Sequence, residues 1–259
     1  FDVPFLVYNK NAASSVETFS QLIDYCHNYT VNDDNQNVEQ LVSWDVSDML
    51  VNYGFVCGSV TIGGESGDDN TKLSADKDLL KKSLTEFVKL RDEFVRAETT
   101  LDSCADLFAQ GKLAYTITDV SHLNTIAESG ISYGVCNIPA LSDDMQIENI
   151  SENLCAFVNP YSSDVQTAKA VANAMSYDYA AAVNSTTGLL SSRTISINSK
   201  EYKDTYGKIY EIYSKADDKA KFMGAAYFYT KFDIMLHQVW DGTDIETSVN
   251  SFLSELKVQ

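Results

Sequence analysis

The sequence predicts an α/β fold, and three observations predict it. Short apolar runs at 113–117, 133–138 and 154–158 alternate with segments of helical pattern, the signature of crossover units on a sheet. Leu80, Leu84, Phe87, Val88, Arg91, Phe94 and Val95 recur at the spacing of one helix face, the clearest amphipathic pattern in the chain. The 259 residues are 44% hydrophobic and 22% charged, enough apolar material for one large domain or two smaller ones. No run approaches the roughly 18 to 20 apolar residues of a membrane-spanning helix, and no basic start followed by an apolar stretch reads as a signal peptide.

Taken in order, residues 5–8 read as a buried strand. Thr18 and Gln21 form a capping box that opens a helix running to about Tyr29. The run Asn32-Asp33-Asp34-Asn35-Gln36-Asn37 reads as a solvated turn. Its spacing is faintly like a calcium loop, but the sixth position holds no Gly and Trp44 stands where the twelfth-position Glu is needed. Val42, Val46, Met49, Leu50 and Tyr53 suit a short helix over 42–55 with Gly54 as its stop. Gly63, Gly64 and Gly67 mark a hairpin or lid loop that matches neither a serine nucleophile elbow nor a phosphate loop.

A second helix over 102–109 closes at Gly111. Ser163 and Gln166 cap a helix whose inward face is Val165, Ala168, Val171, Ala172 and Met175, small enough for close packing on a sheet. A Tyr-rich helical region runs over 201–240, and Thr243 with Glu246 caps the last helix.

Charge narrows the function. A net charge of -18 repels nucleic acid and anionic membranes, and the most basic stretch, 72–96, alternates with Asp and Glu as a solvated helix face does. The five cysteines, Cys26, Cys57, Cys104, Cys136 and Cys155, are odd in number and lack C-x-x-C spacing, which argues against a disulfide framework and a zinc site. His27, His122 and His237 lie far apart without metal-ligand spacing, and pairs such as Asp143-Asp144 and Asp217-Asp218 sit in polar surroundings. No metal or cofactor is expected.

The segment Leu107-Phe108-Ala109-Gln110-Gly111-Lys112-Leu113-Ala114-Tyr115-Thr116-Ile117-Thr118, followed by Tyr133-Gly134-Val135-Cys136-Asn137-Ile138-Pro139, resembles the family-1 extracellular solute-binding proteins of the maltose-binding type. Leu6-Val7-Tyr8-Asn9-Lys10 with Thr18-Phe19, then Asn159-Pro160-Tyr161 with Asn184-Ser185-Thr186-Thr187-Gly188, and Thr243-Asp244-Ile245-Glu246 extend the likeness through nearly the whole chain. The resemblance implies a type II periplasmic-binding-protein-like α/β fold, with an essentially complete second lobe and a partial first lobe. In the family, Tyr8-Asn9-Lys10 follows roughly a hundred residues that build most of the first lobe, the size of a small domain.

On that reading residues 1–150 are the second-lobe segment, 151–203 a first-lobe-like strand and helices, and 204–259 helices returning to the second lobe. The resemblance also implies a binding protein and not an enzyme. It would capture a small-molecule solute, an oligosaccharide, by lobe closure and deliver it to an ABC transporter permease. Its location would be extracellular or periplasmic, attached at the cell surface, with a missing first-lobe segment as a further partner. The alternative is a solute-binding-like interaction domain of a permease, without a complete sugar cleft. A glycan hydrolase, which needs two positioned carboxylates, ranks last.

Sugars present hydroxyl edges and flat C–H faces, so their sites pair aromatic platforms with carboxylates or amides. The likeness singles out Trp44 and Asp45, the run Tyr227, Phe228 and Tyr229, and Asp2. Three consecutive helical aromatics cannot all face the core, because neighbouring side chains are about 100° apart. The chief departure is at Thr118-Asp119-Val120-Ser121-His122, where the family carries a stacking Trp at the position of Ser121. Asp119 reads as an N-cap for the following helix.

Overall fold

The computed structural model describes residues 1–64, 66–94, 99–142, 144–192 and 200–256. Val95, Arg96 and Asp143, used in the sequence reading, lie outside them. The central sheet is built from β1 (Phe5–Asn9), β2 (Gln40–Trp44), β5 (Leu113–Thr118) and β6 (Tyr133–Cys136), in the order β2-β5-β1-β6. β2 runs parallel to β5, and β1 lies antiparallel to both β5 and β6. The register sets Leu6 opposite Ile117 and Cys136, and Tyr8 opposite Tyr115 and Gly134. Gly134 has no side chain for a reason: a Cβ there would stand 2.2 Å from Cζ of Tyr8.

Strand alternation divides the apolar residues between two cores. Leu6, Tyr115 and Ile117 point toward one face, covered by α1 (Phe19–His27), α3 (Lys77–Phe94), α9 (Ala225–Trp240) and α10 (Ile245–Leu256). Phe19, Leu22, Leu80, Leu84, Phe87, Phe228 and Phe232 fill it, each at most 1% exposed. Phe5, Val7 and Leu113 belong to the other core, shared with α4 (Leu101–Ala109), α5 (Leu123–Glu128) and α8 (Lys200–Tyr213). Full burial of each such side chain contributes roughly 1.5–3 kcal/mol, so the aromatic-rich first core carries much of the stability.

Several helix ends follow the sequence closely. Thr18 accepts a hydrogen bond from the Gln21 amide at 3.2 Å, and the Gln21 side chain accepts from Glu17. The helix α4 opens on Thr100 with a reciprocal Ser103 box, one residue before the expected start, and ends at Gly111 with φ of 74°. The Gly-rich segment is a hairpin, β3 (Val60–Gly63) pairing antiparallel with β4 (Asp69–Ala75). At 32–37 the structure has a turn, closed by Asn35 Oδ1 accepting from the Asn32 amide.

Other expectations are corrected. The helix proposed over 42–55 is strand β2 followed by the short α2 (Met49–Tyr53). The strand proposed at 154–158 is absent: regular pairing stops at β7 (Ile150–Ser151), and Leu154 and Phe157 are 74% and 86% exposed. α6 (Val165–Asn173) is capped by Asp164 and not Ser163, and Val165, Val171 and Met175 face solvent instead of a sheet. A π-turn at Ala174–Asp178 joins α6 to α7 (Ala180–Thr187). The region 201–240 is two helices, α8 and α9, separated by β8 (Asp217–Asp218), which pairs parallel with β7. At the last helix Asp244, not Thr243, accepts from the Thr247 amide, and Glu246 forms ion pairs with Lys77 and Lys81.

Candidate functional site

The strand directions place the carboxyl ends of β2 and β5 and the start of β1 at one edge of the sheet, the usual place for a ligand in an open α/β sheet. Carboxylates gather there. Asp45 directly follows β2, Asp119 directly follows β5, and Asp2 precedes β1. Asp48, from the loop between β2 and α2, caps α2 through the Val51 amide at 2.8 Å. Glu152 joins by a two-bond backbone bridge with Asp2, at 2.8 and 2.9 Å. Lys219 pairs with Glu152 and also lies 5.4 Å from the centre of the Tyr229 ring.

The chain ties these groups into a local network. Asp2 accepts from the Val120 amide at 2.8 Å, so the start of β1 is fastened to the loop after β5. Asp119 turns back on that loop, accepting from Ser121 Oγ at 2.7 Å and the His122 amide at 3.1 Å, and it lies 2.6 Å from His122 Nδ1. The N-cap expected at Asp119 is corrected: α5 (Leu123–Glu128) begins after His122, which occupies the cap position without a side-chain cap bond, and Asp119 instead closes the loop ahead of it. The other ring nitrogen of His122 lies 3.2 Å from Asp102.

Burial and like charge set the protonation states. Burial pushes the Asp2 carboxyl up to about 7, with a further push from Asp119 and a partial offset from the Val120 and Val3 amides. Asp48 is also raised, by burial first and then by Asp119, Asp45 and Glu152. The hydrogen bond to Asp119 lifts His122 to about 9, so the imidazole is charged at neutral pH. A mixed array results, with the Asp2 carboxyl biased toward its protonated form and the His122 imidazole toward its charged form. It offers hydroxyl groups both acceptors and a donor.

Both large shifts act in one direction on stability. Asp2, raised from 3.8 to about 7, and His122, raised from 6.5 to about 9, each bind protons more tightly in the folded chain. Their contributions are full at low pH and are lost as pH rises through the folded values, Asp2 first. The melting temperature is therefore expected to fall between pH 4 and 10. Asp2→Asn should flatten the profile below about pH 7, and His122→Gln should flatten it between about 6.5 and 9. A melting profile unchanged by either substitution contradicts this assignment.

The structure distributes the residues singled out by sequence unevenly. Asp2 and Asp45 lie at the acidic edge, 8% and 7% exposed. Asp45 is taken up by the fold: one oxygen accepts from the Ser47 amide and hydroxyl, the other from the Leu101 amide that opens α4. Trp44 is corrected from a ligand contact to a core residue. It is 1% exposed, its ring lies among Phe19, Phe55, Phe94 and Trp240 with centroids 5.9 to 6.4 Å apart, and its Nε1 donates to Asn52.

Phe228 is likewise core, fully buried against Phe232 and Phe252. Tyr229 is 6% exposed and accepts from the Ala220 amide through its hydroxyl. Tyr227 is the one of the three that turns outward, but toward α10, where it donates to Glu255 at 3.4 Å. Sequence reasoning missed Asp48 and Glu152, because two loops more than a hundred residues apart bring them together. The apparent helix over 42–55 hid the Asp48 cap.

Beside Glu152 and Lys219 opens a cavity of about 910 Å³, walled by Phe1, Leu154, Met175, Val183, Leu190 and Tyr213. It separates α7 from the segment that leaves β7. Among the described residues no group of three metal-ligating side chains converges, and no helix is long and apolar enough to cross a membrane.

The fold matches solved sugar-binding proteins. The maltotriose binding protein of Thermus thermophilus, bound with maltotriose, aligns with a TM-score of 0.72 at 14% identity, covering 99% of this chain and 70% of that one. The maltose-maltodextrin binding protein of Alicyclobacillus acidocaldarius gives 0.71 at 14%, covering 99% and 69%. MalX from Streptococcus pneumoniae in complex with maltopentaose gives 0.72 at 12%, covering 99% and 72%. No family model and no curated protein matches the sequence. The α/β fold is thus that of the maltose-binding type, and the chain spans about 70% of the length of these neighbours.

Proposed function

We propose that this chain is the recognition part of a solute-binding protein that captures a carbohydrate, an oligosaccharide, and delivers it to the permease of an ABC importer. The observation that carries this reading is the position of the acidic edge: Asp2, Asp48, Asp119 and Glu152 gather at the strand ends of a fold whose solved neighbours hold maltooligosaccharides. The groups there suit hydroxyl recognition and form no activated nucleophile, which supports binding over catalysis. Such a receptor works outside the membrane, in the extracellular space or periplasm, attached at the cell surface. Closure uses contacts made only in the closed state to shift a hinge equilibrium.

On this reading residues 1–150 and 204–259 form the second lobe, and 151–203 belong to the first. A further first-lobe segment covers the face of α6 and α7, where Phe157, Val171, Met175, Tyr177 and Tyr179 are between 54% and 86% exposed. Apolar side chains exposed together on one face, as opposed to scattered singly, are what an interaction surface presents.

The same face favours a second reading, an extracellular interaction domain of a permease. Ser121 in place of a stacking ring and the burial of Trp44 and Phe228 leave the acidic edge without those platforms. Thermal melting against a panel of maltooligosaccharides separates the two. A ligand at a hundred times its dissociation constant adds about 2.7 kcal/mol of stability, a rise of several degrees. A rise abolished by Asp48→Asn and Glu152→Gln supports the receptor. Unchanged melting across the panel, with the apolar face covered by a co-expressed first-lobe segment, rejects it in favour of the interaction domain.

A further inference from the structure

α7 ends in a turn that is seated on the acidic loop. Gly188 adopts φ of 76° as the left-handed C-cap, with its amide donating to the Asn184 carbonyl. A methyl group built on Gly188 would stand 2.4 Å from the Ser121 carbonyl oxygen and 2.9 Å from its Cα, so the two backbones are in direct contact. Asn184 holds the turn shut, its Nδ2 donating to the Gly188 and Leu189 carbonyls at 3.0 and 3.1 Å. Beyond it the Leu190 amide donates to the Phe1 carbonyl, Phe1 donates back through its amino group, and Tyr210 donates to the Ser191 carbonyl.

These contacts bring four distant segments together: Phe1, the loop 119–122, the end of α7 and Tyr210 of α8. Ser121 is itself held by Asp119, and Val120 by Asp2. From this we infer that Gly188 is a positioning residue: its turn, packed on the Ser121 backbone, keeps the loop 119–122 in register with Asp2 and transmits any displacement of α6 and α7 to the acidic edge. The inference rests on the receptor reading for its biological meaning, since α6 and α7 are the elements assigned to the other lobe. Lobe movement would then reset the hydrogen-bonding groups offered to a saccharide. Only glycine permits the arrangement, because a side chain would meet both the positive φ and the Ser121 backbone.

His122 reports on the link. Its raised pKa depends on the 2.6 Å contact with Asp119, with Asp102 as the other carboxylate at the ring and Asp2 behind Asp119. An NMR titration of the imidazole in wild type, Gly188→Ala and Gly130→Ala tests it. Gly130 has φ of 77° but nothing within 4 Å of its Cβ position, so its substitution adds the backbone strain without the contact. The His122 pKa is expected near 9 in wild type and Gly130→Ala, and displaced toward 6.5 in Gly188→Ala.

An unmoved titration in Gly188→Ala overturns the inference. If that variant does not fold, Asn184→Ala releases the turn without adding atoms, and an unmoved His122 there is equally fatal. A displaced titration in a chain that no maltooligosaccharide stabilises supports the link while removing the receptor reading.

Discussion

Replacing Trp44 by Ala is expected to lower unfolding stability by about 3–5 kcal/mol, the usual cost of deleting a buried indole and leaving a cavity. The ring is 1% exposed and is surrounded by Phe19, Phe55, Phe94 and Trp240, which cannot all collapse into the vacated space because they belong to four different parts of the first core. Against a typical total of roughly 5–15 kcal/mol the loss is large, and partial unfolding at 37 °C is within reach. Urea denaturation of the saccharide-free protein measures it. A ring that served a ligand would give the opposite pattern, intact stability with weakened binding. The experiment therefore separates a packing role from a recognition role at this position.

Asn52→Ala is expected to match that effect from a single polar side chain. Asn52 is fully buried; its Oδ1 accepts from Trp44 Nε1 at 3.1 Å, and its Nδ2 donates to the Asp45 and Asp48 carbonyls at 2.8 and 2.6 Å. Removing it strands Trp44 Nε1 and the Asp45 carbonyl, while the Asp48 carbonyl keeps the backbone amide of residue 52; at roughly 1–3 kcal/mol for each group left buried and unpaired, a total of about 2–6 kcal/mol follows. Asn52→Asp should rescue little, because a carboxylate faces both carbonyls without a proton to donate. Combining Trp44→Ala with Asn52→Ala should cost less than the sum of the two, since one lost bond is counted in both. A fully additive double variant would show that the pair does not act as a unit. The network also pins the loop carrying Asp45 and Asp48, so its loss should loosen the acidic edge.

The sequence disclosed features that depend on a few neighbouring residues. The face of α3 and the opening of α1 at Thr18 follow from local spacing and short-range hydrogen bonds, and both appear in the structure. Features that depend on a distant partner were hidden. Val42, Val46, Met49, Leu50 and Tyr53 fit a helix face, yet Gln40–Trp44 extends because β5 lies beside it in parallel. Residues 154–158 have strand-like composition, and among the described residues no strand pairs with them. The break between α8 and α9 arises because Asp217 and Asp218 pair with β7, which no helix propensity could reveal.

The candidate site was legible in the same uneven way. Asp2 came from the family likeness alone, and its proximity to Asp119 is a product of the sheet. Trp44 was misread because an aromatic beside an acid has the same appearance in sequence whether it faces a sugar or a core. Asn52 gave no signal at all: its importance lies in three partners contributed by a strand end and a loop.

Because β1 is an interior strand of the sheet, both of its neighbours are made late: β5 pairs with it across more than a hundred residues, and β6 lies later still. At ribosomal rates of about 5–20 residues per second, its apolar residues wait on the order of 5–20 s before either edge can be satisfied. Loop closure over that span slows folding further. The nascent chain thus passes through a stage in which Phe5, Leu6 and Val7 are open to capture by chaperones or by other unfinished chains. Yield in cells should accordingly respond to the speed of translation and to holdase supply before it responds to the stability of the finished protein.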